Sequence, residues 1–419
     1  MPKILWMSPF SLHDTSSGGA VNSRYMLKSL YKHGWEVWAC SSFIFEAKNG
    51  SEQAFGDLEQ MFAHDPNKVF IFDEDNIHFV YTRAAKTSEF AMTLNECQLF
   101  FQTFRQVLTE FQPDVVMGYG ITPVAQTCFA EAKHRGIATV YLVSHGSYNN
   151  FFFPNVDLIV TDSHATMQLY AERDEINMVP VGAFFDLKAI TAPEHVKRYV
   201  TMINPSEPKG GAIMAKIAKA CQTQMPEVEF LTVNTKERFI DLVGRLHVKG
   251  EPDQHPYRPS DFPNVFMVDP QMDIRPIYAV TSVLLVPSLW FEAWGRVASE
   301  AVFNNIPVIA SSSGGLSEAT AGGGFLIEPP LHCLQDYLSI PTDEEIQPWL
   351  DALSFLLHND VTPELKAAQR RLSQENATLR LLEALEPLVE QTQYQHLGNK
   401  PRVIQINDLS NSQIPDVSF

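Results

Sequence analysis

The chain has 419 residues, 45% of them hydrophobic and 19% charged, with 49 acidic side chains against 31 basic ones. That length makes two or three domains, two being the leaner count, and the composition is that of a folded globular protein rather than a disordered one. A net charge of −18 excludes broad attraction to nucleic acid or anionic lipid and leaves only a local basic site for either.

The apolar run Ile4 to Met7 is too short for the core of a secretory signal and reads as a first strand. No stretch approaches the roughly 18 apolar residues of a membrane span, so a cytoplasmic protein is expected. Cys40, Cys97, Cys128, Cys221 and Cys333 match no zinc or redox spacing and read as buried small hydrophobes in a reducing compartment.

Short apolar runs then alternate with segments of helical periodicity, the pattern of strands joined by crossover helices in a parallel sheet. Strands are expected at Ile4 to Met7, Glu36 to Ala39, Val69 to Phe72, His78 to Tyr81, Val115 to Met117, Thr139 to Val143 and Leu158 to Val160. Helices are expected at Val21 to Lys32, Ser88 to Phe111, Pro123 to Arg135 and His164 to Ala171. The turn-rich stretch Pro180 to Pro193 reads as a hinge. A second series follows, with strands at Tyr199 to Ile203, Glu229 to Val233, Val265 to Val268, Val283 to Val286, Val308 to Ala310 and Gly324 to Ile327. Its helices are Gly210 to Cys221, Arg296 to Asn304, Ser317 to Ala321, Ile346 to Leu357 and Thr362 to Thr392.

The expectation is therefore an α/β protein of two Rossmann-like, doubly wound parallel-sheet domains facing a cleft. One spans 1–185 and the other 186–393, the last helix returning to the first lobe and the polar stretch 394–419 forming a tail. Ligands of such sheets bind beyond the carboxyl ends of the strands, so the informative loops should face the cleft.

Several of those loops carry chemistry. Gly18 and Gly19 precede a helix and permit close approach of backbone to ligand, although ordinary turns use glycines in the same way. Asp73, Glu74 and Asp75 end an apolar run and offer oxygen ligands for a metal, but read better as a polar turn. His145 and Gly146 close a strand; a lone histidine is more often structural, and its place on the cleft edge favours a sugar or acceptor contact. Lys209 stands beside a helix start, where an ammonium and free amides together suit a diphosphate; without context it is a solvated lysine. Glu292 in a loop and Glu300 in the helix after it suit paired sugar hydroxyls, against a chance pair on a solvated helix. Gly314 and Gly315 sit before a further helix with amides that could approach a ligand.

Taken together, Phe291-Glu-Ala-Trp-Gly-Arg-Val-Ala-Ser-Glu-Ala301, Ile306-Pro-Val-Ile-Ala310, Gly314-Gly-Leu-Ser-Glu-Ala319 and Gly322-Gly-Gly-Phe-Leu-Ile327 resemble the donor site of family 4 glycosyltransferases. The resemblance implies a GT-B fold and a retaining, metal-independent transfer of a hexose-type sugar from a nucleotide diphosphate sugar, UDP favoured over GDP, with no cofactor. It implies that Glu292 holds hydroxyls of the transferred sugar, that Glu300 holds the ribose, and that Gly314, Gly315 and Leu316 line the sugar and diphosphate pocket. Arg296 takes a secondary donor role or a surface ion pair. Asn204 to Gly210 is similar to the family's phosphate loop, with Lys209 against the diphosphate and Asn204 where an arginine is usual, so that either another cation, Arg24 or Arg296, takes over the diphosphate or the donor is gripped less tightly. Gly18 and Gly19 resemble the acceptor-side glycine loop, and His145 the cleft histidine. The acceptor is left open: a saccharide, another small molecule, a protein, or modified nucleic acid, the last disfavoured by the charge. A trehalose- or sucrose-type sugar-phosphate synthase and a non-catalytic GT-B-like binding protein are the alternatives.

Overall fold

The computed structural model describes residues 1–63, 69–235, 237–271 and 273–398. The first lobe contains β1 (Lys3–Met7), β2 (Glu36–Ile44), β3 (Phe70–Glu74), β4 (Ile77–Lys86), β5 (Val115–Gly118), β6 (Ala138–Val143), β7 (Leu158–Thr161) and β8 (Val179–Pro180). They form one sheet in the order β3-β4-β2-β1-β5-β6-β7-β8. Every neighbouring pair is parallel except the β3–β4 hairpin, so the sheet is mixed where an all-parallel one was expected. Asp75 and Asn76 both take positive φ, 54° and 63°, as a tight hairpin turn between right-twisted strands requires. The acidic run at Asp73 to Asp75 ends β3 and enters this turn.

The second lobe contains β9 (Tyr199–Ile203), β10 (Phe230–Val233), β11 (His247–Val248), β12 (Val265–Val268), β13 (Thr281–Val286), β14 (Val308–Ser311), β15 (Gly324–Ile327) and β16 (Ser339–Ile340). Six of these make a parallel sheet in the order β12-β10-β9-β13-β14-β15, and β11 pairs with β16 apart from it. The central strands are buried on both faces, which is why they read as continuous apolar runs.

Two differences from the sequence expectation follow from packing. The helix Gly18–Lys32 starts earlier than Val21, so Gly18 and Gly19 form its first turn rather than a loop before it. The expected helix Thr362 to Thr392 is two helices, Thr362–Arg371 and Gln374–Gly398. Leu365, Ala368 and Leu372 pack into the second lobe's core, whereas Ala377, Leu381 and Leu385 pack into the first lobe's. The break falls where the chain changes lobes. Ser29 and Thr378 hydroxyls lie 2.6 Å apart beneath the returning helix. The tail expected at 394–419 begins within that helix, and its remainder from 399 lies outside the described residues.

The segment expected as a hinge behaves as a shared seam. Val181 and Phe184 belong to the first lobe's core, while Ala183 and Phe185 belong to the second's.

Candidate active site

In the second sheet the chain runs outward from β9 to β10 and β12, then returns to the other side of β9 as β13. The loops after β9 and β13 therefore diverge at a topological switch point, where open α/β sheets bind ligands. The first of these loops ends at Lys209, and the second carries Glu292. Lys209 Nζ donates to Glu292 Oε1 at 2.6 Å, and Ser288 Oγ donates to the same oxygen at 2.6 Å. The Lys209 ammonium also lies 4.4 Å from the centroid of the Trp290 ring. Backbone N–H groups of Leu289 and Trp290 donate to Pro208 O at 2.9 and 3.1 Å, which straps the two loops together. Glu292 is only 7% exposed, and a carboxylate so buried is retained only when paired and hydrogen-bonded as this one is.

Glu300, 9% exposed, accepts a hydrogen bond from the Tyr278 hydroxyl at 2.8 Å through Oε2. Its Oε1 faces Arg296 Nη2 at 3.4 Å. The Tyr278 phenol is held well above its ordinary pKa by burial and then by the Glu300 charge, so it remains a donor. Arg296 turns its other nitrogen across the cleft, where Nη1 donates to Phe184 O at 2.8 Å and to Asn22 Oδ1 at 3.2 Å. Asn22 Nδ2 in turn donates to Asp162 Oδ1 at 2.9 Å. Burial pushes the Asp162 carboxyl up to about 7, partly offset by Ser144, Arg296 and Asn22. Arg296 is thus a tie between lobes, stacked 4.6 Å from the centroid of Phe185.

The glycines pack closely against the Glu292 loop. A Cβ on Gly314, whose φ is 54°, would lie 2.1 Å from Glu292 O, and one on Gly315 would lie 2.3 Å from Ala293 O. Gly315 N–H is already given to Glu292 O at 2.7 Å and Leu316 N–H to Ser313 O at 3.3 Å, so neither amide is free for a ligand. The Leu316 side chain is fully buried in the second lobe's core rather than lining a pocket. Gly210, at φ 84°, lets the two switch-point loops touch: a Cβ there would stand 1.8 Å from Pro287 O. What these glycines do is press backbone against the Glu292 loop and fix that carboxylate.

Asn204 takes a left-handed conformation with φ 62° and gives its N–H to Val233 O at 2.9 Å. Its Oδ1 is buried and accepts no hydrogen bond. Neither suggested substitute for the missing arginine is idle. Arg24 pairs with Glu74 and Asp75 at the hairpin turn, and Arg296 is engaged as described.

From the first lobe, Gly18 faces Arg296, a Cβ there standing 3.5 Å from its Cδ, while Gly19 has only Ser17 Oγ within 4.0 Å. His145 follows β6, and its Nδ1 accepts the Ser147 N–H at 3.2 Å, which leaves the ring proton on Nε2. Burial pulls its pKa below the ordinary value, so the ring is neutral near pH 7. Its neighbour Gly146 meets Phe291, a Cβ there standing 2.8 Å from Phe291 Cδ1. The histidine loop therefore abuts the Glu292 loop across the cleft. Glu318 closes the same seam by accepting the N–H groups of His164 and Ala165 at 3.0 and 3.1 Å.

The sequence-expected residues thus gather at one seam: Lys209, Gly210 and Glu292 at the switch point, Glu300 and Arg296 on the helix Arg296–Phe303, and Gly18 and His145 opposite. Ser288, Tyr278, Asn22 and Asp162 complete the hydrogen bonding and carry no local signal in the sequence. Among the described residues no group of three or more His, Cys, Asp or Glu is arranged to hold a metal ion, and no helix is long and apolar enough to cross a membrane.

Residues 197–338, which include Lys209, Glu292, Glu300 and the Gly314 loop, match a family model described as Glycosyl transferases group 1. A search of curated proteins finds no match. Among solved structures the chain is similar to a glycosyltransferase from Rickettsia africae, with 16% identity and a TM-score of 0.62 over 93% of this chain and 99% of that one. It is similar to HepE of Anabaena, solved with UDP and glucose, with 16% identity and a TM-score of 0.56 over 95% and 100%. It is also similar to a sucrose-phosphate synthase from Thermosynechococcus elongatus, with 14% identity and a TM-score of 0.55 over 95% and 98%. At such identities the likeness speaks for the fold, which is GT-B. With the family match lying on the lobe that holds the paired glutamates and lysine, the protein is a glycosyltransferase.

Proposed function

We propose that this glycosyltransferase moves a hexose-type sugar from a nucleotide diphosphate sugar, UDP-linked in preference to GDP-linked, to an acceptor hydroxyl, retaining the anomeric configuration and using no metal, as family 4 enzymes do. The observation that carries the proposal is the Lys209–Glu292–Ser288 cluster at the switch point of the second sheet. The Lys209 ammonium, at the start of the helix Gly211–Gln224, neutralises the diphosphate as charge develops on it, and the helix dipole adds to that effect. Glu292 exchanges its lysine partner for hydroxyls of the sugar, and Glu300 takes the ribose hydroxyls. UDP is favoured because HepE, of the same fold, was solved with it.

Retention needs either a covalent intermediate or attack from the face the diphosphate leaves. Glu292 is taken up by the sugar hydroxyls in this reading and no other carboxylate among the described residues is placed to attack, so same-face attack is the simpler scheme, the departing phosphate oxygen taking the acceptor proton. His145 offers Nε2–H to a sugar or acceptor oxygen. Closure of the lobes about the Arg296 tie excludes water. A cytoplasmic location belongs to the same reading.

The test is calorimetric titration with UDP, GDP and ADP, followed by NMR of the transferred anomer with and without EDTA. UDP binding, a retained anomer and indifference to EDTA are expected. Inversion, or a strict metal requirement, would refute the mechanism; binding without turnover on any acceptor would favour the non-catalytic alternative.

A further inference from the structure

The first lobe holds a buried carboxylate that the donor half does not use. Glu89 lies on the short turn Glu89–Ala91 between β4 and the helix Leu94–Phe111. It shares the carboxyl-end edge of the sheet with the loops after β5 and β6. Its Oε2 is buried and accepts no hydrogen bond. Burial pushes the carboxyl up to about 7, offset in part by the Ile121 N–H and the Thr122 hydroxyl, with no cation among the groups that shift it. Gly120, at φ 133°, packs closely against it: a Cβ there would stand 3.1 Å from Glu89 Oε2.

Tyr119, Tyr141 and Tyr148 all lie within reach of the Glu89 charge. Tyr141 OH accepts the Gly120 N–H at 3.0 Å and donates to Tyr148 OH at 3.0 Å, so the Tyr148 hydroxyl keeps its own hydrogen to give. The Tyr148 ring lies 4.1 Å from that of His145, and Gly146 touches Phe291 beside Glu292. The group thus begins where the donor site ends. Two aromatic side chains from the same loops stand in solvent, Phe90 at 68% and Phe152 at 82% exposure, and offer apolar faces of the kind that mark a binding surface.

We propose that Glu89 and Tyr148 form the acceptor subsite, the carboxylate accepting from and the phenol donating to one sugar ring, and that the acceptor is an uncharged glycoside. The assignment rests on the glycosyltransferase reading above. An acceptor bearing a phosphate would bury a dianion where no cation is among the groups acting on Glu89, which costs too much in a buried site.

The full chain is assayed for UDP release from UDP-glucose with the methyl glycosides of glucose, galactose, mannose and N-acetylglucosamine, and in parallel with glucose 6-phosphate and fructose 6-phosphate. At least one methyl glycoside is expected to stimulate release. Glu89→Gln should raise its KM about tenfold or more, as loss of a charged hydrogen-bond partner does, and Tyr148→Phe severalfold, with UDP affinity unchanged in both as the check that the fold persists. Stimulation by sugar phosphates alone, no stimulation by any glycoside, or an unaltered KM in Glu89→Gln overturns the assignment while UDP binding leaves the donor reading standing. Failure of the wild-type protein to bind UDP overturns both.

Discussion

The two rims of the cleft are built on opposite plans. On the second lobe the charged groups already have partners: Lys209 with Glu292, Glu292 with Ser288, Glu300 with Tyr278 and Arg296. On the first lobe Glu89 keeps a buried oxygen without a hydrogen bond and Tyr148 keeps a hydrogen to give. A site prepared by internal pairs is rigid before its ligand arrives and loses little on ordering. A site with open valences waits for the ligand to satisfy it, and there selectivity for the acceptor is strongest, because a wrong ligand leaves a buried polar group unpaired.

The largest expected effect breaks the prepared rim. Glu292→Gln removes the lysine's counter-charge and the proposed sugar contact, and kcat for sugar transfer should fall by about 100-fold or more; a change under about threefold would remove Glu292 from the mechanism. Next, Tyr278→Phe leaves Glu300 Oε2 without its donor. The donor KM should rise about tenfold, with kcat much less affected, if Glu300 grips the ribose. Equal falls in kcat and kcat/KM would instead place Glu300 at the reacting centre.

Arg296→Lys tests the tie between the rims. Lysine cannot reach Phe184 O, Asn22 and Glu300 together as the guanidinium fork does. A loss of stability of about 1–3 kcal/mol in urea unfolding is expected, and no loss would mean the bridge is not formed in solution.

The smallest effect concerns Asp162. Its folded pKa is raised from 3.8 to about 7, so the folded chain binds a proton that the unfolded chain releases. The stability this group contributes is full below pH 4 and is lost as pH rises from about 4 to 7. Asp162→Asn should therefore gain on the wild type at pH 8 relative to pH 5, by a melting-temperature difference of about 1–3 °C. An unchanged difference between the two pH values would mean Asp162 is ionised in the fold.

How much of this was legible in the sequence divides along the same line. Glu292, Glu300 and Lys209 each follow a continuous apolar strand, but they were singled out by the resemblance of their motifs to the family's, whereas pattern alone exposed both sheets. Arg296 reaching Asn22, and Asn22 reaching Asp162, join residues 274 and 140 positions apart, contacts that only the folded lobes create. The glycine pair at Gly314 was visible, but not that its backbone packs against the Glu292 loop. Glu89 offered no local pattern at all; its isolation is a property of burial. The break after Arg371 was hidden because each helix carries ordinary amphipathic spacing, Leu365, Ala368 and Leu372 in one and Ala377, Leu381 and Leu385 in the other, while the two face different lobes.

The central claim is that the Lys209–Glu292 switch point is the nucleotide diphosphate site. Calorimetric titration of UDP into the wild type and Lys209→Met tests it most directly. The wild type should bind, and the variant should bind at least about tenfold more weakly. Equal affinity in the two proteins, or no binding by the wild type, would contradict it.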